Sequence, residues 1–246
     1  MDDTLLRVYG VHAVQAMLTA HPGHVQKMVF LDVAQHAKRL KMLLNLAPKT
    51  CVVEVLSADA FEQTLAMPNA THQGVFVVMT PITHPSLQTL IANQSAPMTI
   101  VALDCVQDPH NLGACMRTSC AMGVTAIIMP KDKSAKVNET VRKVASGAAA
   151  WLPIYRVSNL SQSLKMLKKN GFWCVGSSEH AHDNIRDLSL SGVSKVVVVG
   201  NEGQGMRRLT TTLCDHLVRL PTQGPLQSLN VSVALGMILF HVQDDA

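Results

Sequence analysis

Aromatic side chains are scarce in this chain: Phe, Trp and Tyr together make up 4% of its 246 residues. A core of that composition is aliphatic, with the 13 Met residues filling gaps that rings would otherwise occupy. Charge is also sparse, at 15% against 48% apolar residues, which excludes a disordered chain. Cys-x-x-Cys pairs are missing. The six cysteines, Cys51, Cys105, Cys115, Cys120, Cys174 and Cys214, lie mostly in apolar runs and read as reduced, buried thiols. No His-Glu-x-x-His occurs among the 11 His residues, and His180 and His182 read as part of a solvated loop. No metal site is expected. No apolar run approaches the roughly 20 residues that span a bilayer. The acidic start Met1-Asp2-Asp3 lacks a secretory pattern, so a cytoplasmic protein without membrane contact is expected.

What is present divides into two blocks. Thr80-Pro-Ile-Thr-His-Pro85 carries two prolines that disfavour helix at and before themselves. The predicted organisation is a first domain over 1–80, a linker over 81–97, where Leu87–Ala92 can add a short helix, and a second domain over 98–246. In the first block, helical patterns cover Val11–Thr19, Ala37–Leu46 and Ala58–Leu65, and strand patterns cover Lys27–Leu31, Val52–Leu56 and Gly74–Met79. In the second, strands are expected at Thr99–Leu103, Ala126–Met129, Phe172–Gly176, Val196–Val199 and Leu217–Leu220. Helices are expected at Leu112–Met122, Asn138–Ala149, Leu160–Lys169, Met206–Leu213 and Val231–Val242. Strands rich in Val and Ile without polar alternation predict an α/β fold, a parallel sheet with helices on both faces.

Ligands of such sheets bind beyond the carboxyl ends of the strands. Polar, Gly-bearing sequence follows three of them. After Thr99–Leu103 comes Asp104-Cys-Val-Gln-Asp-Pro-His-Asn-Leu-Gly-Ala-Cys-Met-Arg117. Asn111 reads as the N-cap of a helix from Leu112. Arg117 falls nearly two turns further on among apolar neighbours, where burial would demand an anionic partner. After Val196–Val199 comes Gly200-Asn-Glu-Gly-Gln-Gly-Met206, whose glycines permit close approach to a ligand and whose Glu202 sits at a strand tip. Its spacing departs from a dinucleotide fingerprint. After Leu217–Leu220 comes Pro221-Thr-Gln-Gly-Pro-Leu-Gln-Ser228-Leu-Asn230, with Ser228 and Asn230 placed as helix caps.

Taken together and in order, Asp108-Pro-His-Asn-Leu-Gly-Ala with Arg117, Gly200-Asn-Glu-Gly-Gln-Gly-Met and Ser228-Leu-Asn-Val-Ser-Val-Ala234 resemble the SpoU family of RNA ribose methyltransferases, within the SPOUT class. The first block, with Tyr9-Gly-Val-His-Ala-Val14 and His72-Gln-Gly74, is similar to that family's RNA-binding extension, which itself resembles kink-turn-binding ribosomal proteins. Lys131-Asp-Lys-Ser-Ala135 and Met206-Arg-Arg-Leu-Thr210 fit the branch that acts on a guanosine of 23S ribosomal RNA.

The resemblance implies methylation of an RNA ribose 2′-hydroxyl with S-adenosyl-L-methionine as cofactor. It also implies a carboxyl-terminal trefoil knot holding that cofactor, and a homodimer that completes each site across its interface. It further implies that Gly200, Asn201, Leu220 and Leu229 bind the cofactor, and that Asn111, Arg117, Glu202, Ser228 and Asn230 form the catalytic group. Since a guanidinium is a poor proton acceptor, Arg117 is expected to stabilise alkoxide charge, with Glu202 or a phosphate oxygen taking the proton. Lys27, Lys38, Arg39 and Lys41 are candidate phosphate contacts in the first block; the net charge of +4 leans the same way, mildly. Two alternatives remain: ribose methylation of transfer RNA, and a catalytically silent RNA-binding protein.

Overall fold

A computed structural model describes residues 5–33, 37–67, 70–225 and 228–243. The chain forms two compact units. One holds the residues up to His84 together with Ser146–Trp151, and the other holds Pro85–Ala145 and the chain from Leu152 onward.

In the first unit, strands β1 (Leu6–Tyr9), β2 (Val25–Leu31), β3 (Val52–Leu56) and β4 (Val75–Met79) form a sheet in the order β1-β4-β2-β3. β4 runs antiparallel to β1 and β2, while β2 and β3 are parallel. Helix α1 (Val11–Ala20) buries Val14 and Leu18 with Met28, Val77 and Met79 on one face, joined by Leu43 of α2 (Ala37–Leu46). Helix α3 (Ala58–Leu65) closes the other face, packing Phe61 and Leu65 on Val29 and Phe76. The rings of Phe61 and Phe76 meet edge-on, with centroids 5.0 Å apart. Ser146–Trp151, distant in sequence, adds Ala150 to this core, and a ring nitrogen of His21 lies 2.5 Å from the Ala150 carbonyl.

The second unit begins with α4 (Leu87–Ala92), capped by Ser86 Oγ accepting from Thr89 N–H. Its strands are β5 (Thr99–Asp104), β6 (Ala126–Pro130), β7 (Ile154–Val157), β8 (Trp173–Ser177), β9 (Asp183–Asn184), β10 (Lys195–Gly200) and β11 (His216–Arg219). They form one sheet in the order β7-β6-β5-β10-β8-β11-β9, with every pairing parallel. Ile100–Leu103 and Val196–Val199 are buried along their length because helices cover both faces. Leu87 and Ile91 of α4 and Leu160, Leu164 and Leu167 of α7 (Leu160–Lys169) pack on one face. On the other side α5 (Pro109–Ala121) contacts both α6 (Glu139–Val144) and α9 (Val231–Gln243), and α9 contacts β10. The short α8 (Arg208–Thr211) links β10 to β11. No helix among the described residues is long and apolar enough to cross a membrane.

The path through this sheet is indirect. The chain leaves β8, runs beyond β11 to form β9, and returns to β10 on the far side of β8. Both this connection and the start of β10 hold the end of α9. His241 Nε2 lies 2.8 Å from the Leu188 carbonyl, and Lys195 Nζ donates to the carbonyls of Leu190 and Val242.

Several expected elements change. β1 and β7 were not expected at all. The helix expected at Asn138–Ala149 ends at Val144, because Ser146 and Gly147 take φ values of 49° and 91° and turn the chain toward the first unit. The helix expected at Met206–Leu213 shrinks to Arg208–Thr211, since residues up to Arg207 belong to the loop after β10.

Candidate active site

Because all strands of the second sheet run one way, the loops after β5, β10 and β11 open on one edge. The loop after β10 folds back as a tight hairpin in which Asn201 and Gly205 exchange both backbone hydrogen bonds, at 3.0 and 2.8 Å. Gly205 sits at φ 65°, in the left-handed region. At Gly200 an added Cβ would fall 2.1 Å from the Gly205 carbonyl carbon and 2.3 Å from Met206 N, so only glycine fits. Asn201 fixes the hairpin from inside, accepting from Gly203 N–H at 2.9 Å and donating Nδ2 to the Cys105 carbonyl at 3.2 Å. Asp104, whose side chain is fully buried at the tip of β5, accepts from Arg207 N–H at 2.9 Å and Arg207 Nε at 2.7 Å. Two loops are thereby stapled together.

Helix α5 starts earlier than expected. Asp108 is its N-cap, accepting from His110 N–H, and Pro109 occupies the first helical position, where a missing N–H costs nothing. Asn111 is therefore not a cap. It is buried in the first turn, and its Oδ1 accepts from Asn230 Nδ2 at 2.9 Å. The same Asn230 Nδ2 donates to Glu202 Oε1 at 2.5 Å, so its two protons bridge an amide oxygen and a carboxylate. Asn230 Oδ1 accepts from Ser232 N–H at 3.0 Å, as a cap of α9 does. Val231 N–H adds a 3.4 Å contact to Glu202 Oε1. Three loops thus converge on one polar cluster.

Two hollows flank this cluster. The larger, about 520 Å³, is lined by Gly200, Asn201, Glu202, Leu220, Ser228 and Leu229 among others. The smaller, about 190 Å³, is lined by Asn111, Asp108 and Gln107, and shares Asn201, Glu202, Gly203 and Val231 with the larger. The four residues expected to hold the cofactor all lie on the larger hollow, and Asn111, Glu202 and Asn230 are hydrogen-bonded to one another. Arg117 differs. It is exposed on α5 and lines neither hollow, so the expectation drawn from its burial does not hold within one chain.

The larger hollow also takes in Ser177, the last residue of β8, and Ser178–Ala181 directly after it, along with Met206 and Thr211. The strand-end rule that singled out three loops would have found this fourth one. The Asp104–Arg207 pair was also missed; a carboxylate ending an otherwise apolar strand was its signal. Burial, with the Glu202 charge adding to it, pushes the Cys115 thiol up to about 12, so no thiolate nucleophile forms beside the cluster. Among the described residues no group of three or more His, Cys, Asp or Glu side chains could hold a metal. Of the candidate cations in the first unit, Lys27 pairs with Glu54 at 2.7 Å and Lys41 is exposed; the side chains of Lys38 and Arg39 lie outside what is described.

A model of the SpoU rRNA Methylase family matches residues 98–240, and one for RNA 2′-O ribose methyltransferase substrate binding matches residues 7–85. The chain belongs to the SpoU rRNA methylase family. Within it, the chain is 45% identical over 240 residues to the 23S rRNA (guanosine-2′-O-)-methyltransferase RlmB of Pseudomonas putida, covering 96% of this chain and 95% of that protein. The enzyme of the same name from Escherichia coli is 39% identical over 237 residues, covering 95% and 96%. The SpoU methyltransferase AviRb from Streptomyces viridochromogenes, solved in complex with AdoMet, shares the fold at a TM-score of 0.77 and 22% identity, covering 97% of this chain and 89% of that one.

Proposed function

We propose that this SpoU-family protein transfers a methyl group from S-adenosylmethionine to the ribose 2′-hydroxyl of a guanosine in 23S ribosomal RNA, acting in the cytoplasm. The observation that carries the reading is the hydrogen-bonded Asn111–Asn230–Glu202 cluster, in which Glu202 lines both hollows and Asn111 lines the smaller one. Names of relatives that match nearly the whole chain supply the substrate.

The larger hollow has the volume of a small-molecule site, and part of its wall is the hairpin that closes tightly only with glycine at position 200. Gly200, Asn201, Leu220 and Leu229 would hold the cofactor there, with Met206 and Leu217 as apolar wall. Bound S-adenosylmethionine supplies an electrophilic methyl group on a sulfonium. The chain's own part is positioning, which is most of what an in-line displacement needs. Asn111 and Asn230 orient the ribose in the smaller hollow. Glu202 Oε1 is held by Asn230 and Val231, which leaves Oε2 as its acceptor for the hydroxyl proton.

Arg117 enters through a second copy of the chain. On α9, Val233, Met237 and Phe240 form an exposed apolar stripe, and Phe240 is 60% exposed. On the neighbouring α5, His110, Ala114, Arg117 and Ala121 lie on one face. A homodimer packed on these faces covers the stripe and brings Arg117 to the partner's site, where it stabilises developing alkoxide charge. The carboxyl-terminal region closes a trefoil knot in this reading. Its support is that α9 is gripped at its end by both β10 and the β8–β10 connection. The first unit binds the RNA.

Incubation of the protein with labelled S-adenosylmethionine and either 23S rRNA or transfer RNA transcripts tests the reading. Label in a guanosine 2′-O-methyl of the 23S transcript is expected. Label in transfer RNA alone, or none in either with the cofactor bound, would overturn it. Phe240→Asp is expected to yield monomers that bind cofactor and do not transfer methyl.

A further inference from the structure

Two basic motifs, Lys131-Asp-Lys-Ser-Ala135 and Met206-Arg-Arg-Leu-Thr210, play no part in the catalytic cluster, yet the fold brings both to its edge of the sheet. The first follows β6 and the second follows the hairpin after β10. Lys131, Lys133, Arg207 and Arg208 are all exposed.

The frame beneath these side chains is rigid. Arg156, on β7, donates Nη1 to the Ala135 carbonyl at 2.9 Å and Nη2 to the Lys131 carbonyl at 2.5 Å. Lys131 N–H bonds to the Val157 carbonyl, and Ala135 N–H to the Val106 carbonyl, each at 2.9 Å. The β6 loop is thereby tied to β7 on one side and to the chain after β5 on the other. Lys133 holds a φ of 55°, an uncommon backbone for a residue with a Cβ. Arg207 is anchored through its backbone N–H and Nε to the buried Asp104. Its side chain remains 49% exposed, with the two Nη nitrogens as its remaining donors. The charges of Arg207 and Lys133 both act on the Cys105 thiol, which sets the two cations around the end of β5. Asp132 is the single carboxylate in the 131–136 loop. The same Asp104–Val106 segment leads into Gln107 and Asp108 on the wall of the smaller hollow. A line of cations therefore runs up to the place where the ribose is proposed to sit.

We infer that Lys131, Lys133, Arg207 and Arg208 form an RNA-backbone rim on the methyltransferase unit itself, gripping phosphates of the strand that carries the target ribose. Asp104 is a positioning residue in this rim, since it orders Arg207 and touches no substrate. The inference rests on the RNA-methylation reading and adds a binding surface outside the first unit. Phosphates supply most of the affinity in such contacts and make it depend on salt. Guanidinium groups held in place from below bind them bidentately with little ordering cost.

A matched-charge comparison in the full-length protein tests it. Lys133→Ala with Arg208→Ala removes two rim charges and leaves the Asp104–Arg207 pair intact. Lys165→Ala with Lys169→Ala removes two exposed charges from α7, whose end lies at the opposite edge, just before β8 begins. Affinity for a 23S rRNA transcript is measured against salt for each, together with cofactor binding and the KM and kcat of transfer. For the rim variant the slope of log K against log salt is expected to become shallower by roughly 1.5. Its RNA KM should rise about tenfold with cofactor affinity and kcat near wild type. The α7 variant should match wild type. Equal slopes in the two variants, or a wild-type slope in the rim variant, would overturn the rim. Failure of the wild-type protein to methylate the transcript would instead defeat the underlying reading, while the binding comparison still decides the rim.

Discussion

The two sheets of this protein differ in strand direction, and that difference separates a surface from a site. In the first unit β4 runs against β1 and β2, so its loops are shared between both ends of the sheet. In the second unit every pairing is parallel, and the loops after β5, β10, β8 and β11 crowd one edge. Asn111, Glu202 and Asn230 meet there although as many as 119 positions separate them in sequence. A sheet of one direction concentrates polar ends, and a helix start and two loops stapled together then fix them. The mixed sheet lacks that convergence among its described residues; its Lys27–Glu54 pair, for example, is partly exposed and links only the neighbouring strands β2 and β3.

Substitutions should therefore be felt sharply in one unit and weakly in the other. The largest effect is expected for Gly200→Ala. Its Cβ overlaps the backbone of Gly205 and Met206, which cannot retreat without opening the hairpin. Cofactor binding should be lost by calorimetry, with destabilisation of about 1–3 kcal/mol by denaturant titration. A variant that binds cofactor normally would mean the hairpin is looser than its contacts imply. Next comes Asn230→Ser. Serine keeps a cap on α9 but cannot bridge Asn111 and Glu202. Methyl transfer should fall about 100-fold or more while cofactor affinity and melting temperature hold. Smallest is Lys27→Ala, which removes a partly exposed ion pair from the first unit and should change stability by about 0.5 kcal/mol or less. A large loss there would break the contrast between the units.

How much of this was legible in sequence varied with the physics behind each signal. The helices Ala37–Leu46, Ala58–Leu65 and Leu160–Lys169 were read to the residue, because each has a clear apolar stripe in its sequence. β1 and β7 escaped notice; both are four-residue edge strands, mostly half-buried, with no distinct pattern. The break after Val144 was hidden because Ala145–Ala150 has helical composition, and only tertiary packing in the first unit turns Ser146 into the left-handed region. The identity of the cap on α5 was missed because Asp108 and Asn111 are both good caps; Pro109 decides between them, as it favours the first helical position. Which strand ends carry the polar residues was easier to read than how those residues meet. The strand-end rule located Asn111, Glu202 and Asn230, but their shared hydrogen bonds depend on a chain path no periodicity reveals. Arg117 lay beyond reach for a different reason: its helical position was legible, whereas what faces that side of α5 was not.

The central claim is that the loops at one edge of the parallel sheet form a ribose 2′-O-methylation site. Mapping ribose methylation across 23S rRNA from cells lacking this protein, complemented with wild type or with Asn230→Ser, tests it most directly. The account predicts that one guanosine 2′-O-methyl is absent from the deletion strain, returns with wild type and stays absent with the variant. An unchanged methylation map in the deletion strain, or full restoration by Asn230→Ser, would contradict it.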